Sequence, residues 1–150
     1  MKKKLVVTVG NLMMGDDAAG PLLARALLAS PVEGWAVLDG GSAPENCLHR
    51  IREIAPEQVL VVDAADMDLA PGEIRLIDGD KLDDPFLMTT HTLPLSYLIR
   101  SLRESTPKVE LLGIQPQVVA FGYPVSSEVK LAVGQVHESL KQAEPAWEHL

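Results

Sequence analysis

Short apolar runs alternate along the chain with longer stretches in which apolar residues recur every three or four positions. The runs at residues 5–9, 36–38, 59–62 and 109–114 are continuous and aliphatic, which is typical of parallel strands buried on both faces. Helical spacing at residues 22–27, 47–55, 95–102 and 129–140 predicts four helices. Residues 72–78 alternate between polar and apolar side chains, which predicts a less buried strand near the edge of the sheet.

The predicted order, β-α-β-α-β-β-α-β-α, indicates an α/β protein. We expect a three-layer α/β/α sandwich on a mostly parallel, mixed five-stranded sheet. A chain of 150 residues suits one domain over residues 1–150, with a frayed tail after about residue 143. Ser42 and Glu45 have the spacing of a capping box and predict the start of the second helix. Residues 80–90 and 115–126 are predicted loops.

Composition narrows the classes of function. The net charge of −8 argues against nucleic acid, whose phosphates are held by clustered basic residues. No apolar run reaches the roughly 18 residues needed to cross a bilayer, and the N-terminal residues lack the pattern of a signal peptide. Cys47 is the only cysteine, so an intrachain disulfide is impossible. We therefore expect a cytoplasmic protein, a monomer, with neither nucleic acid nor membrane as a partner.

Three side chains follow predicted strand ends and carry the candidate chemistry: Asp17, Asp63 and His91. In an open α/β sheet such positions converge on a crevice above the carboxyl ends of the strands. Two carboxylates and one imidazole suit a divalent metal. We expect one of Asp16 and Asp17 to cap the first helix and the other to face the crevice. A helix dipole beside His91 is expected to lower its pKa and favour the neutral form that binds metal.

Each candidate also has a structural explanation when taken alone. Acidic pairs favour helix N-termini, aspartates form turns, and histidines cap helices. Asp39 follows the second strand and precedes two glycines, so a turn role is slightly favoured. The other histidines (His49, His137 and His149) are interpreted as non-catalytic, and Cys47 as a small buried hydrophobe.

Three familiar constellations are excluded by spacing. Gly10 and Gly15 have the interval of a phosphate-binding loop, but acidic residues replace its lysine and serine or threonine. Neither a zinc-protease helix motif nor a serine nucleophile elbow is present. A response-regulator receiver domain is rejected, because the acidic residues lie too far beyond the first strand and the fifth strand is not followed by a lysine.

The motifs at residues 9–11, 14–17, 39–46, 61–64 and 89–91, in this order and spacing, resemble the maturation proteases of [NiFe] hydrogenases. Residues 88–95 and 113–116 are most similar to the branch of that family that serves hydrogenase 3. The resemblance extends from the first strand to about residue 142. It implies a phosphorylase/hydrolase-like fold and an endopeptidase, classified as aspartic-type, that removes the C-terminal extension of a hydrogenase large-subunit precursor after nickel insertion.

By motif position the resemblance places the family's metal ligands on Asp17, Asp63 and His91, which are also the catalytic candidates, with Asp39 as a second-tier candidate. Nickel is expected to come from the precursor, and other divalent metals such as cadmium or calcium could occupy the site. The general base, the attacking group and the loop contacts to the precursor stay open, although the lack of a serine or cysteine nucleophile motif favours attack by water. Two alternatives also remain, namely a nickel-binding docking protein or metallochaperone without peptidase activity, and a metal-dependent hydrolase of small substrates.

Overall fold

The computed structural model describes residues 3–78, 81 and 91–150. The loop predicted over residues 80–90 therefore lies, apart from Lys81, outside the described residues. The strands are β1 (Lys4–Thr8), β2 (Trp35–Asp39), β3 (Gln58–Ala64), β4 (Ile74–Ile77) and β5 (Lys108–Ile114). The α-helices are α1 (Ala19–Ala29), α2 (Leu48–Ile54), α3 (Thr92–Arg103) and α4 (Ser127–Ser139). Short 3-10 turns at Gly15–Ala18 and Pro44–Cys47 lead into α1 and α2.

The strands form one sheet in the order β2-β1-β3-β5-β4. Four strands are parallel, and the edge strand β4 runs antiparallel to β5. The predicted α/β fold with a mostly parallel, mixed five-stranded sheet is confirmed. The alternating pattern of residues 72–78 indicated the edge position correctly, because only a partly solvated strand keeps polar side chains on one face.

Alternate residues of the central strands point to opposite faces of the sheet. Val7 and Val61 belong to a cluster with side chains of α2 and α3, whereas Val6 and Val62 pack with those of α1 and α4. The continuous apolar runs are explained by this arrangement, since helices cover the sheet on both faces.

The centre of the sheet contains a topological switch point. From β1 the chain crosses through α1 to β2 on one side, and it then returns through α2 to β3 on the other side of β1. The carboxyl ends of β1 and β3 therefore lie side by side with their following segments leading in opposite directions. Such a position opens a crevice in doubly wound sheets.

The start of α2 differs from the predicted capping box. The turn Pro44–Cys47 begins after Ala43, and no side chain caps it. Pro44 has a fixed φ suited to the first helical position, so Glu45 lies inside the turn, and the predicted Ser42–Glu45 capping box is not formed.

The C-terminal residues also differ from the expected frayed tail. The Leu76 backbone N–H donates to the Glu148 carbonyl at 2.8 Å, and the Leu150 N–H donates to the Leu76 carbonyl at 2.9 Å. Trp147 packs against the cluster formed with α1 and α4. The tail thus lies along the outer edge of β4, where it pairs with backbone groups that β5 leaves unused.

Candidate metal centre

Asp63 lies in the central strand of the sheet. It is the penultimate residue of β3, slightly inside the strand end predicted from the sequence, and it pairs with Gly113 of β5. Its side chain lies on the same face of the sheet as that of Val61, which packs with α2 and α3. Asp63 is also buried. The sheet therefore fixes this carboxylate rigidly near the carboxyl end of the central strand β3.

Asp17 is held by the turn that follows β1. The Asn11 backbone N–H donates to Asp17 Oδ2 at 2.9 Å, and the Asp17 N–H donates to the Met14 carbonyl at 3.2 Å. Gly10 makes the turn possible: its φ is +146°, and a Cβ there would lie 2.0 Å from the Asp17 carbonyl oxygen. The turn at Gly10 and Asn11 thus holds the buried carboxylate of Asp17 in a fixed orientation.

His91 is the N-cap residue of α3, as predicted. Its Nδ1 lies 3.3 Å from Asp63 Oδ2, and the ring is buried. Leu95 and Leu98 of α3 are fully buried against the sheet, so the packing of this helix positions the imidazole over the end of β3.

The structure brings the three predicted side chains together. Asp17, Asp63 and His91 each offer one ligand atom, these atoms lie within 4.8 Å of one another, and all three residues are buried. Among the described residues this is the one cluster of at least three potential metal ligands. Carboxylate oxygens and an imidazole nitrogen form a donor set that suits divalent first-row metals, so the residues fit such an ion chemically.

The pKa of His91 is shifted opposite to the expectation from the helix dipole. The hydrogen bond to Asp63 raises the pKa above its ordinary 6.5, burial opposes this rise, and the charges of Asp63, Asp17 and Glu45 add to it. A full carboxylate charge in direct contact outweighs the partial charge at a helix end. The prediction of a lowered pKa was therefore wrong, because it considered only the local helix.

Asp39 lies outside the three-residue cluster. Its Oδ1 accepts a hydrogen bond from the Gly41 backbone N–H at 2.9 Å and a longer one from Thr8 Oγ1 at 3.4 Å, and the side chain is exposed. These bonds match the turn role that the sequence slightly favoured. Its role as a second-tier catalytic candidate stays a prediction.

Asp16 has a function that the sequence did not reveal. Its Oδ2 accepts hydrogen bonds from the backbone N–H groups of Gln117 and Val118 and from Ser126 Oγ, and its Oδ1 accepts one from the Ser126 N–H. The carboxylate is 1% exposed, and no side chain caps α1. Asp16 therefore fastens the loop after β5 to the turn that carries Asp17, instead of capping the first helix.

Glu45 is the second residue that sequence analysis placed wrongly. Its turn packs against α3, its charge acts on His91, and its Oε2 is buried without a hydrogen-bond partner among the described residues. The carboxylate therefore adds negative charge to the surroundings of the cluster.

The remaining candidates lie apart from the cluster, as predicted. His49 pairs with Glu53 on an exposed surface, and His137 Nε2 lies 2.8 Å from the Ser30 carbonyl. Cys47 is partly buried against the core, and burial, followed by the charge of Asp39, raises the pKa of its thiol. A raised pKa disfavours the thiolate and fits the interpretation of Cys47 as a hydrophobe.

The fold and the site together define a class of protein: an α/β sandwich whose switch-point crevice holds two buried carboxylates and one buried imidazole. Comparison with known proteins narrows this class. Residues 22–143 match the family model described as hydrogenase maturation protease. The chain is 53% identical over 137 residues to the hydrogenase 3 maturation protease of Escherichia coli strain K12, with 91% of this chain and 88% of that protein covered.

Solved structures agree with the sequence comparison. The solution structure of the endopeptidase HycI from Escherichia coli superposes with a TM-score of 0.91 at 49% identity, covering 99% of this chain and 96% of that one. A [NiFe] hydrogenase maturation protease HycI from Thermococcus kodakarensis KOD1 superposes with a TM-score of 0.81 at 27% identity, covering 91% and 88%. The chain belongs to the hydrogenase maturation protease family. The resemblance seen in the sequence motifs is thereby confirmed.

Proposed function

We propose that this protein is the endopeptidase that removes the C-terminal extension of a [NiFe] hydrogenase large-subunit precursor, of the hydrogenase 3 type, once nickel has been inserted. Asp17, Asp63 and His91 bind the nickel that the precursor carries and thereby recognise the loaded substrate. The observation that carries this proposal is the buried cluster of two carboxylates and one imidazole in a chain of this family.

The number of protein ligands supports the use of a substrate metal. Three donors leave coordination positions open on a divalent ion, and ligands from the precursor can fill them. The metal then contributes contacts to both partners, so an unloaded precursor lacks a large part of the interaction. Nickel bound there also supplies Lewis-acid chemistry to a nearby carbonyl or water.

The residues of this chain mainly position the reaction. Asp63 and Asp17 are fixed by the sheet and by the turn after β1, and His91 is fixed by α3. Rigid ligands on three separate elements hold a bound ion, and with it the scissile bond, at one place in the crevice. Attack by water fits the raised thiol pKa of Cys47, which argues against that residue as the nucleophile.

A processing assay tests the proposal. The purified protein is mixed with its host's hydrogenase large-subunit precursor, with and without bound nickel, and the products are weighed by mass spectrometry. We expect loss of a C-terminal peptide from the nickel-loaded form alone. His91→Gln is expected to abolish cleavage, whereas the matched variant His49→Gln, at an exposed position, is expected to cleave like the wild type.

The failures of this assay point to different functions. A precursor that is bound but stays intact would identify a docking protein or metallochaperone instead of a peptidase. Cleavage that is equally fast without nickel would refute recognition through the metal. Hydrolysis of short synthetic peptides without a folded partner would favour a hydrolase of small substrates.

A further inference from the structure

Most of the exposed large hydrophobic side chains among the described residues lie in two loops. Of nine such side chains, six belong to the loop after β1 (residues 11–14) or to the loop after β5 (residues 117–123). We call these six the apolar patch: Leu12, Met13, Val118, Val119, Phe121 and Tyr123. Clustered exposed apolar side chains on a soluble protein mark an interaction site far more often than single ones do.

The two loops form one surface although about a hundred residues separate them in the chain. The Gly122 backbone N–H donates to the Met13 carbonyl at 2.9 Å, and the Asp16 N–H donates to the Val118 carbonyl at 2.8 Å. Gly15 permits this approach, since a Cβ there would lie 2.6 Å from the Val118 carbonyl oxygen. The two loops that carry the apolar patch are therefore joined side by side through their backbones.

The apolar patch is also held in place before any partner arrives. The four hydrogen bonds of the Asp16 carboxylate reach the start of the second loop, at Gln117–Val118, and Ser126, which lies three residues beyond its end. Ordering a loop on binding costs free energy, and a loop that is already ordered avoids that cost. Such a preformed surface suits specific binding.

The apolar patch adjoins the candidate metal centre. The Asn11 backbone N–H, in the first loop, donates to Asp17 Oδ2, so one short segment carries both a metal ligand and part of the patch. A substrate bound through Asp17 thus lies beside these apolar side chains.

The charge pattern selects the chemistry of the partner. The chain has 21 acidic and 13 basic residues, yet residues 11–14 and 117–123 contain no charged side chain. An uncharged surface with two exposed aromatic rings favours aliphatic and aromatic side chains of a partner, and it offers no counter-charge to a phosphate or a basic segment.

We propose that the apolar patch binds an apolar segment of the hydrogenase large-subunit precursor next to its scissile bond. This inference rests on the proposed function and adds a second point of contact to it. The metal centre recognises the nickel of the precursor. The apolar patch supplies affinity that does not depend on the metal, and it fixes the position of the peptide relative to the metal. Truncation of side chains here therefore weakens substrate binding more than turnover.

The test compares two double variants with equally exposed positions. Met13→Ser/Phe121→Ser removes two patch side chains that are 59% and 70% exposed. Leu28→Ser/Leu131→Ser removes two from the surfaces of α1 and α4 that are 70% and 64% exposed. Circular dichroism and thermal melting establish that both fold, and calorimetric titration with nickel alone establishes that the metal site is unaffected.

We expect the patch variant to raise the KM for nickel-loaded precursor and the Kd of the complex by about tenfold or more, as losing two interface side chains does. Its kcat should stay within about twofold of wild type, and the control variant should match wild type in all three constants. A patch variant whose KM and Kd equal those of the control would overturn the inference.

Binding and cleavage are measured separately so that this inference and the proposed function can fail separately. If the wild type binds the precursor without cleaving it, and the patch variant loses that binding, the patch assignment stands and the peptidase assignment fails. If the wild type forms a dimer that the patch variant cannot form, and precursor affinity is unchanged, the patch is an interface between copies of this chain and the inference is wrong. A wild type that does not bind precursor at all also refutes it.

Discussion

Two adjacent aspartates, Asp16 and Asp17, have separate tasks at the carboxyl end of β1. Asp17 belongs to the cluster of potential metal ligands, while Asp16 binds the loop after β5 through four hydrogen bonds. Sequence pattern alone cannot distinguish them, because the donors to Asp16 lie about a hundred residues away. We therefore expect Asp16 to serve stability and Asp17 to serve function, although the two are neighbours in the chain.

Asp16→Asn should therefore destabilise the fold, whereas Asp17→Asn should mainly abolish metal binding. An amide at position 16 places N–H donors against backbone N–H donors, and we expect a loss of about 2 kcal/mol in the free energy of unfolding. Urea denaturation of the metal-free proteins measures it. Equal stability losses in the two variants would contradict this division of roles.

The pH dependence at the site follows from His91. Its pKa is raised by Asp63, so the charged ring stabilises the metal-free fold fully below the ordinary value of 6.5, and this contribution is lost as pH rises through the higher folded-state pKa. Metal binding at His91 is expected to have the opposite dependence, since only the neutral imidazole is a ligand.

We therefore expect nickel affinity to fall as pH drops through the raised pKa, by about tenfold per pH unit below it. Calorimetric titrations between pH 6 and pH 8.5 measure the affinity, and the same series on His91→Gln should lack this transition. The expectation fails if the midpoint of the wild-type profile lies at or below 6.5.

At the scale of elements, the turn after β1 couples backbone geometry to the ligand set. Gly10 and Gly34 both have positive φ, at +146° and +89°, but a Cβ at position 34 would meet nothing within 4 Å. Comparing substitutions at Gly10 and Gly34 therefore distinguishes the effect of backbone strain alone from the effect of a clash with the backbone of Asp17.

Gly34→Ala should cost about 1 kcal/mol of stability, the usual penalty for a left-handed position. Gly10→Ala should cost several times more and should also weaken nickel binding, because the Asp17 carbonyl must move away. Thermal melting and nickel titration of both variants test this. Similar effects of the two substitutions would show that the close approach at Gly10 is unimportant.

Elements whose signal is local could be predicted from the sequence, and those that depend on distant partners could not. The apolar runs gave the strands, and the switch-point geometry of parallel sheets predicted the meeting of Asp17, Asp63 and His91. Three features depend on tertiary neighbours instead. They are the hydrogen bonds of Asp16 to the loop after β5, the packing of the Glu45 turn against α3 and the raised pKa of His91. Ser42 and Glu45 show most clearly the limit of prediction from local sequence. They have the spacing of a capping box, but the turn begins at Pro44 instead.

For the whole molecule, the three proposed ligands tie together segments that are far apart in the chain. Asp17 follows β1, Asp63 lies in β3 and His91 begins α3. An ion bound by all three stabilises only the folded state, and saturation with a ligand at a hundred times its Kd adds about 2.7 kcal/mol. The metal is thus expected to act on global stability.

Nickel should raise the melting temperature of the wild type and of His49→Gln, and it should leave that of Asp63→Asn unchanged. Thermal scans at several nickel concentrations measure the shift, which should grow with the logarithm of concentration above the Kd. An equal shift in Asp63→Asn would place the ion elsewhere on the protein.

No helix within the described residues has the length and apolar character required to cross a bilayer. At the outer edge of the sheet, the C-terminal residues lie beside β4. Residues 148–150 use both backbone groups of Leu76, which would otherwise form a template for an intermolecular strand. Without residues 148–150, the backbone N–H and carbonyl of Leu76 would be exposed to pairing with a strand of another molecule. Aggregation, more than unfolding, would then limit the lifetime of the shortened protein.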